Sequence, residues 1–340
     1  MSAARIPVVV LGDTARAIHH GCRQVMENLA RGLTAIGCDI TARHPGPGWR
    51  NDPTLVAAMK QARAIIINGE GTIHHDRPGG AEYMAAAEFA RDHGVPVFLI
   101  NCTWAANSPE LSRRAAVFRR IYVRESFSQQ ELAAAGIVST VVPDLTLATP
   151  APPPATTRRG WWITDSAQTA TTERLYRLTR QIPNAAFAPI LASDWHATSP
   201  GRRAKRHFQR WLGRHFSPLA PARYVALAHA LPDAATYLRA MTGVRAVLTG
   251  RFHAACFALV TGTPFLAVRA NTTKLEALLQ DAGLRSDRLL AESELTPSTV
   301  GARLDTVAWD TAEAAHLAAY VARAQTAIAA MFAHIAQEAR

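Results

Sequence analysis

Three short polar stretches carry the residue types that do chemistry. The first is Asn68-Gly69-Glu70-Gly71-Thr72-Ile73-His74-His75-Asp76. Gly69 and Gly71 allow a backbone to approach a ligand closely, and Glu70, His74, His75 and Asp76 are acid, base or orienting groups. The plainer alternative is a tight turn whose histidines only hydrogen-bond the scaffold. Adjacent histidines lack the spacing that sets two ligands on one helix face, so no metal is expected here. The second stretch is Gly12-Asp13, followed by His19-His20-Gly21-Cys22. A carboxylate at a first-strand tip faces the ligand crevice in open α/β sheets, or it caps a helix and does nothing more. The third is Thr249-Gly250-Arg251-Phe252-His253, where an apolar run meets a helix start. Free backbone N–H groups there favour an anion, and Arg251 adds a forked donor for carboxylate or phosphate. His253 changes charge near neutral pH, which suits proton transfer. A pair of cations satisfied by some nearby carboxylate is the plainer reading.

Several signatures are missing. No GxxxxGK[ST] occurs, and no GxGxxG follows the first strand, so an ATPase or a dinucleotide oxidoreductase is unsupported. GxSxG and HExxH are absent as well.

The elements that must position these residues alternate. The run 6–12 is continuously apolar and ends in Gly-Asp, as a buried parallel strand does. Residues 24–36 place Val25, Leu29, Leu33 and Ile36 on one helical stripe, with Gly37 at the C-cap position. Asp52 and Pro53 open the next helix as N-cap and first residue. Strand and helix signals then follow one another through 64–142, which predicts repeated βαβ units on a parallel sheet. A proline-rich stretch interrupts the pattern, and the alternation resumes at Trp161. The predicted fold class is α/β, with two doubly wound Rossmann-like domains facing across a cleft. Their boundaries are 1–148, a linker 149–160, 161–310, and a C-terminal helix over 311–340.

Composition agrees with a folded, two-domain chain. It has 340 residues, 49% hydrophobic and 19% charged, which excludes a disordered, collagen-like or coiled-coil chain. The formal net charge of +11 favours an anionic partner. Cys22, Cys38, Cys102 and Cys256 have no CxxC spacing and read as buried thiols, so neither zinc nor a disulfide framework is expected. Neither a membrane-spanning run nor a secretory leader is legible, and the expected location is cytoplasmic.

One segment is purely basic. From Trp195 to Pro232 there is no acidic residue, and Arg202, Arg203, Lys205, Arg206, Arg210 and Arg214 surround Phe208, Trp211, Leu212 and Phe216. Residues 202–216 therefore fit peripheral contact with an anionic membrane surface, with a solvated loop as the plain alternative. Nucleic acid has no helix-turn-helix, RRM or zinc-finger pattern to support it.

In order along the chain stand LGD, HHGC, NGEGTIHHD, VRESFSQQELAAAG and PDLTL, then TGRFHAACFALVTGTPFLAV and TKLEALLQDAGL. Taken as a series these resemble the polysaccharide pyruvyl transferase family, from the first strand to about Leu284. The resemblance implies a GT-B-like scaffold of two Rossmann-type domains. It also implies transfer of a pyruvyl group from phosphoenolpyruvate to two hydroxyls of a sugar, giving a cyclic ketal and phosphate. The sugar would belong to a cell-surface polysaccharide or its lipid-linked precursor. No cofactor is implied, since phosphoenolpyruvate is a substrate.

Arg251 and His253 match the family's donor-binding Arg and His, and Lys274 matches the Lys of the following motif. Phe252 and Asn271 are counted with them on the donor side, the domain 161–310. Glu70 or Asp13, in the acceptor-side domain 1–148, would orient or deprotonate the acceptor. Gly69, Gly71, Thr72, His74, His75 and His20 would line the substrate. Two departures stand out: the family's loop is often all glycine where this chain has Glu70, and CTWAANSP replaces a Gly-Gln-type turn. They keep a second reading open, a GT-B glycosyltransferase with a nucleotide-activated sugar donor, acidic sugars included. A third, a non-catalytic membrane-associated scaffold, has no need of polar residues at three strand tips. The acceptor sugar and the oligomeric state are not legible.

Overall fold

The computed structural model describes residues 5–193, 200–216, 220–269 and 272–340. The chain forms two compact units. Unit 1 is Met1–Ala15, Val25–Ala148 and Ala322–Arg340; unit 2 is Arg16–Gln24 and Thr149–Val321. The chain thus passes between units at three places besides the proline-rich stretch. Residues 16–24, expected with the first domain, belong to unit 2 because they pair there. His20 N–H donates to the Ile190 carbonyl, Ala192 N–H donates to the Ile18 carbonyl, and His19 bridges Leu191 in antiparallel fashion. The last helix, Thr311–Glu338, is continuous, and its final turns are part of unit 1 rather than an element apart.

Unit 1 is built on six strands: β1 (Ile6–Leu11), β2 (Cys38–His44), β3 (Ala64–Glu70), β4 (Val97–Cys102), β5 (Arg120–Val123) and β6 (Thr140–Val141). Their order is β2-β1-β3-β4-β5-β6, and every pairing is parallel. β3 and β4 are buried along their whole length, as strands covered by helices on both faces must be. Leu11, Ile65, Ile67 and Leu99 pack with Met84 and Ala87 of the helix Pro78–Asp92. On the other face Val8, Val10, Ile66 and Phe98 pack with Leu29 and Leu33, and with Met331 and Ile335 of the last helix. Asp52 caps the helix Pro53–Gln61 as its sequence predicts, accepting from the N–H groups of Thr54 and Leu55.

Unit 2 holds β7 (Trp161–Ser166), β8 (Ala185–Phe187), β9 (Ala246–Gly250), β10 (Phe265–Val268) and β11 (Leu289–Leu290), ordered β11-β10-β9-β7-β8 and all parallel. The helix Phe252–Thr261 is buried at every position, which its apolar composition on all sides demands. The basic stretch forms a helix, Pro200–His215, and not the solvated loop that its charge density also allowed. Among the described residues no helix is long and apolar enough to cross a membrane. None of the four cysteines is in a disulfide; Cys38, Cys102 and Cys256 are buried as expected, but Cys22 is partly exposed.

Candidate active site

In unit 2, β7 and β9 are neighbours, and their carboxyl ends carry Asp165 and Arg251. Arg251 Nε donates to Asp165 Oδ2 at 2.7 Å, and Ile190 N–H donates to the other carboxylate oxygen at 2.9 Å. Asp165 is buried while about a quarter of the Arg251 side chain stays exposed. The carboxylate therefore fixes the guanidinium at its inner edge and leaves the outer donors to a ligand. Arg251 N–H donates to Thr249 Oγ1 at 3.0 Å, which anchors the backbone at the point where the buried helix begins.

His253 is the second residue of that helix and is buried. Against it lies Gly21, where any Cβ would overlap the His253 Cβ and ring. The His19 ring meets His253 edge-on, with centroids 5.3 Å apart. His19 Nδ1 accepts from the N–H groups of Gly21 and Cys22, which starts the helix His20–Ala35 four residues before the predicted start at residue 24. Burial, then the electrostatic influence of His253, Arg251, His20 and Lys274, hold the His19 pKa well below its usual value. His19 is therefore neutral at pH 7, and with Nδ1 accepting, its proton sits on Nε2.

The ligand atoms of His19, Cys22 and His253 lie within 4.8 Å of one another, a set that could hold a metal ion. Sequence spacing pointed away from a metal because residue 253 joins the other two only through the fold. Imidazole and thiolate suit zinc or copper, but the charges of Arg251 and Lys274, which both act on His19, oppose a dication and favour an anion.

In unit 1, Glu70 ends β3 with φ +38° and is buried. Its Oε1 accepts from Thr14 Oγ1 at 2.7 Å and from Asn68 Nδ2 at 2.9 Å. Asn68 Nδ2 also donates to the Gly12 carbonyl, and Asn101 Nδ2 donates to Asn68 Oδ1. Gly12, at φ +73°, lies so close that a Cβ would sit 2.9 Å from the Tyr83 hydroxyl. Burial, with the Glu70 charge adding to it, pushes the Tyr83 phenol up to about 12. Six non-glycine residues with positive φ occur among the described residues. Five of them, Glu70, His75, Asp76, Asn101 and Ala106, lie at the ends of β3 and β4 or just beyond. Strain of this kind costs ~1–3 kcal/mol per residue and gathers where function needs it.

The two loops beyond those strands lock together. His75 N–H donates to the Ala105 carbonyl, Ser108 N–H donates to Asp76 Oδ1, and Asn107 Nδ2 donates to the Ile73 carbonyl. CTWAANSP is thus the partner that holds the double-histidine loop. His74 Nδ1 and His75 Nδ1 stand 2.9 Å apart, so only one of them carries a proton. Two further motifs serve structure: Arg124 Nη1 donates to Asp144 Oδ2 at 3.1 Å, both side chains buried, and its Nε donates to Thr103 Oγ1. That pair ties VRES to PDLTL.

Unit 2 brings Arg251, His253 and His20 into one region and sets Lys274 near enough to act on His19. His20, however, is fully buried against Tyr237 at 5.2 Å between ring centroids, and Phe252 is buried too. Full burial makes His20 a support of the site, whereas Phe252 is buried to the same degree as the His253 it adjoins. Asn271 and the Arg202 side chain lie outside the described residues. In unit 1, Glu70, Thr72, His74 and His75 share the locked loop. Gly69 is there for packing, since a Cβ would come within 2.6 Å of the Cys102 Cβ. Gly71 has only Arg124 near it, at ordinary contact distance. Asp13 caps no helix; its Oδ1 accepts from Ala15 N–H in a local turn. Sequence reasoning missed Asp165, His19 as the residue facing His253, and the Thr14, Asn68 and Asn101 set. Asp165 carried one available signal, its place at the end of a strand-like run.

Comparison with known proteins then bears on identity. The family model for polysaccharide pyruvyl transferase matches residues 25–271. Among solved structures, HepE from Anabaena in complex with UDP is 12% identical over 98% of each chain, with a TM-score of 0.52. The calicheamicin glycosyltransferase CalG4 is 12% identical over 99% of this chain and 98% of its own, with a TM-score of 0.51. At such identities the likeness is one of fold, two parallel α/β units of the GT-B glycosyltransferase class. No curated protein sequence matches the chain. The family match takes in well over half of the sequence and spans the Arg251–His253 site, and the chain belongs to the polysaccharide pyruvyl transferase family.

Proposed function

We propose that this transferase moves a pyruvyl group from phosphoenolpyruvate to two hydroxyls of a sugar in a cell-surface polysaccharide or its lipid-linked precursor. The observation that carries the reading is the cationic corner of unit 2. There Arg251 is held by Asp165 beside His253, and Lys274 acts on the same region, in a member of this family. Phosphoenolpyruvate brings a carboxylate and a phosphate, which need such a corner. No resident cofactor is required, because every atom transferred comes from the donor. A phosphoenolpyruvate supply and the proposed chemistry fit a cytoplasmic enzyme.

Two protons leave the two sugar hydroxyls. One goes to the donor methylene carbon, making it a methyl group, as the first hydroxyl oxygen bonds to C2. The C2–O bond to phosphate then breaks, the second oxygen bonds to C2, and the second proton leaves with inorganic phosphate. His253 is assigned the proton delivered to the methylene, Arg251 the anionic groups, and the start of the helix Phe252–Thr261 the departing phosphate. Neutral His19, with its proton on Nε2, is a donor beside His253. In unit 1, Glu70 is assigned to sugar hydroxyls, and Asp13 to orientation.

Calorimetric titration with phosphoenolpyruvate, with CMP, UDP and GDP in parallel, tests the reading. Saturable phosphoenolpyruvate binding that Arg251→Ala removes is the expected result. A nucleotide that binds where phosphoenolpyruvate does not would replace it with glycosyl transfer.

A further inference from the structure

The helix Pro200–His215 carries a surface that the proposed chemistry does not use. Phe208 and Trp211 are 58% and 48% exposed, and Phe216, just past the helix end, is 46% exposed. Phe208, Trp211 and Phe216 account for three of the four large hydrophobics exposed among the described residues. They form one patch, for the Phe208 and Trp211 rings are stacked at 6.1 Å and Trp211 lies 5.4 Å from Phe216. Successive positions 208, 211 and 215 fall on one helical stripe, and the exposed side chains of Arg203, Lys205 and Arg214 flank it.

The opposite side of the helix is fixed to unit 2. Gly213 is buried so close to the Tyr224 carbonyl that any side chain there would overlap it, and the partner helix is Ala222–His229. The aromatic stripe is therefore held outward on a seated helix. Beside it His207, Arg210, Trp211, Arg214, His215 and Ala228 line a shallow concavity rich in donors suited to a phosphate group.

We infer that this helix lies in the plane of an anionic bilayer surface, with Phe208, Trp211 and Phe216 inserted among the lipids and the flanking cations on lipid phosphates. Charge favours that occupant. The sequence has no acidic residue from Trp195 to Pro232, so the surface complements an anionic sheet and repels a second copy of itself. The rings argue against nucleic acid. Bases stack on open aromatic faces, whereas these rings pack against one another at 5.4–6.1 Å between centroids, Trp211 tilted to Phe216, and make one apolar wedge. The inference rests on this helix and stands whether or not the pyruvyl transfer assignment does.

Co-sedimentation of the full chain with phosphatidylcholine–phosphatidylglycerol vesicles, and with phosphatidylcholine alone, tests it. The expected result is binding to the anionic vesicles only, weakened by salt, with a blue shift in tryptophan emission that Trp211→Phe removes. Two double variants, Phe208→Ser with Trp211→Ser and Lys205→Glu with Arg214→Glu, should each weaken binding at least tenfold. Both change exposed side chains, so their thermal melts should match the parent. Failure to bind anionic vesicles, or binding untouched by either variant, would overturn the inference. So would binding of single-stranded oligonucleotide, or self-association through the patch, without vesicle binding.

Discussion

Gly21 and His253, remote in sequence, are in direct contact: the glycine leaves no room for a Cβ between its backbone and the imidazole. A substitution at 21 therefore displaces His253 without removing a reactive group. In a helix Gly→Ala ordinarily adds ~1 kcal/mol of stability. Here overpacking of ~1–3 kcal/mol opposes it. Gly21→Ala should lower the melting temperature and the affinity for phosphoenolpyruvate together. Gly301→Ala, in the helix Pro297–Thr306 with nothing within 4 Å, is the control and should stabilise. Equal melting temperatures for the two variants would show that the contact is relieved without consequence.

Asp165 separates binding from chemistry. Asn at 165 keeps the shape and can still accept from Ile190 N–H, but it drops the charge that orients Arg251. Losing a charge-assisted contact costs ~1.5–3 kcal/mol. KM for phosphoenolpyruvate should rise roughly tenfold to a hundredfold, with kcat changed much less. A loss confined to kcat would mean that Asp165 acts on the reacting atoms and does not position the arginine.

The α/β class, the buried β1, β3 and β4, and the cap at Asp52 were legible, because each follows from local spacing. Placement of 16–24 was not. HHGC reads as the loop after the first strand, and only the hydrogen bonds from His20 to Ile190 and from Ala192 to Ile18, across distant sequence, assign the segment to unit 2. The pairing of Asp165 with Arg251 was hidden for the same reason: neighbouring strands β7 and β9 are not consecutive in sequence. Local pattern also cannot tell a glycine that admits a ligand from one that admits a neighbour. Gly69, pressed on Cys102, is of the second kind.

His19 makes stability depend on pH. Its folded pKa lies well below the ordinary 6.5, so above pH 6.5 both folded and unfolded states are neutral there and it contributes nothing. Below 6.5 the unfolded chain takes the proton and the folded chain does not. Stability should then fall by ~1.4 kcal/mol per pH unit for this group until the folded pKa is reached. Burial lowers His229 in the same direction. His19→Asn keeps an acceptor for Gly21 and Cys22 and removes the titration. Denaturant melts at pH 7.5, 6.5 and 5.5 should show a shallower slope in the variant, with the His229 part remaining. Identical slopes would mean that His19 protonates freely in the folded protein.

Glu70 sets strain against chemistry. A non-glycine residue at φ +38° is uncomfortable, and Glu70→Gly should relieve ~1 kcal/mol or more of it. Asn68 Nδ2 would keep the Gly12 carbonyl and Met26 Sδ as acceptors, and the partly exposed Thr14 hydroxyl would turn to water. The glycine variant should melt at the parent temperature or above. Glu70→Gln keeps an oxygen for Thr14 and Asn68 but not the charge. If the carboxylate takes a proton from a sugar hydroxyl, both variants should lose ~10²–10⁴ in kcat and still bind phosphoenolpyruvate. If Glu70 only shapes the loop, Gln should be near normal. A glycine variant that turns over normally would remove Glu70 from the chemistry, leaving unit 1 to bind the acceptor through its other strand-end groups.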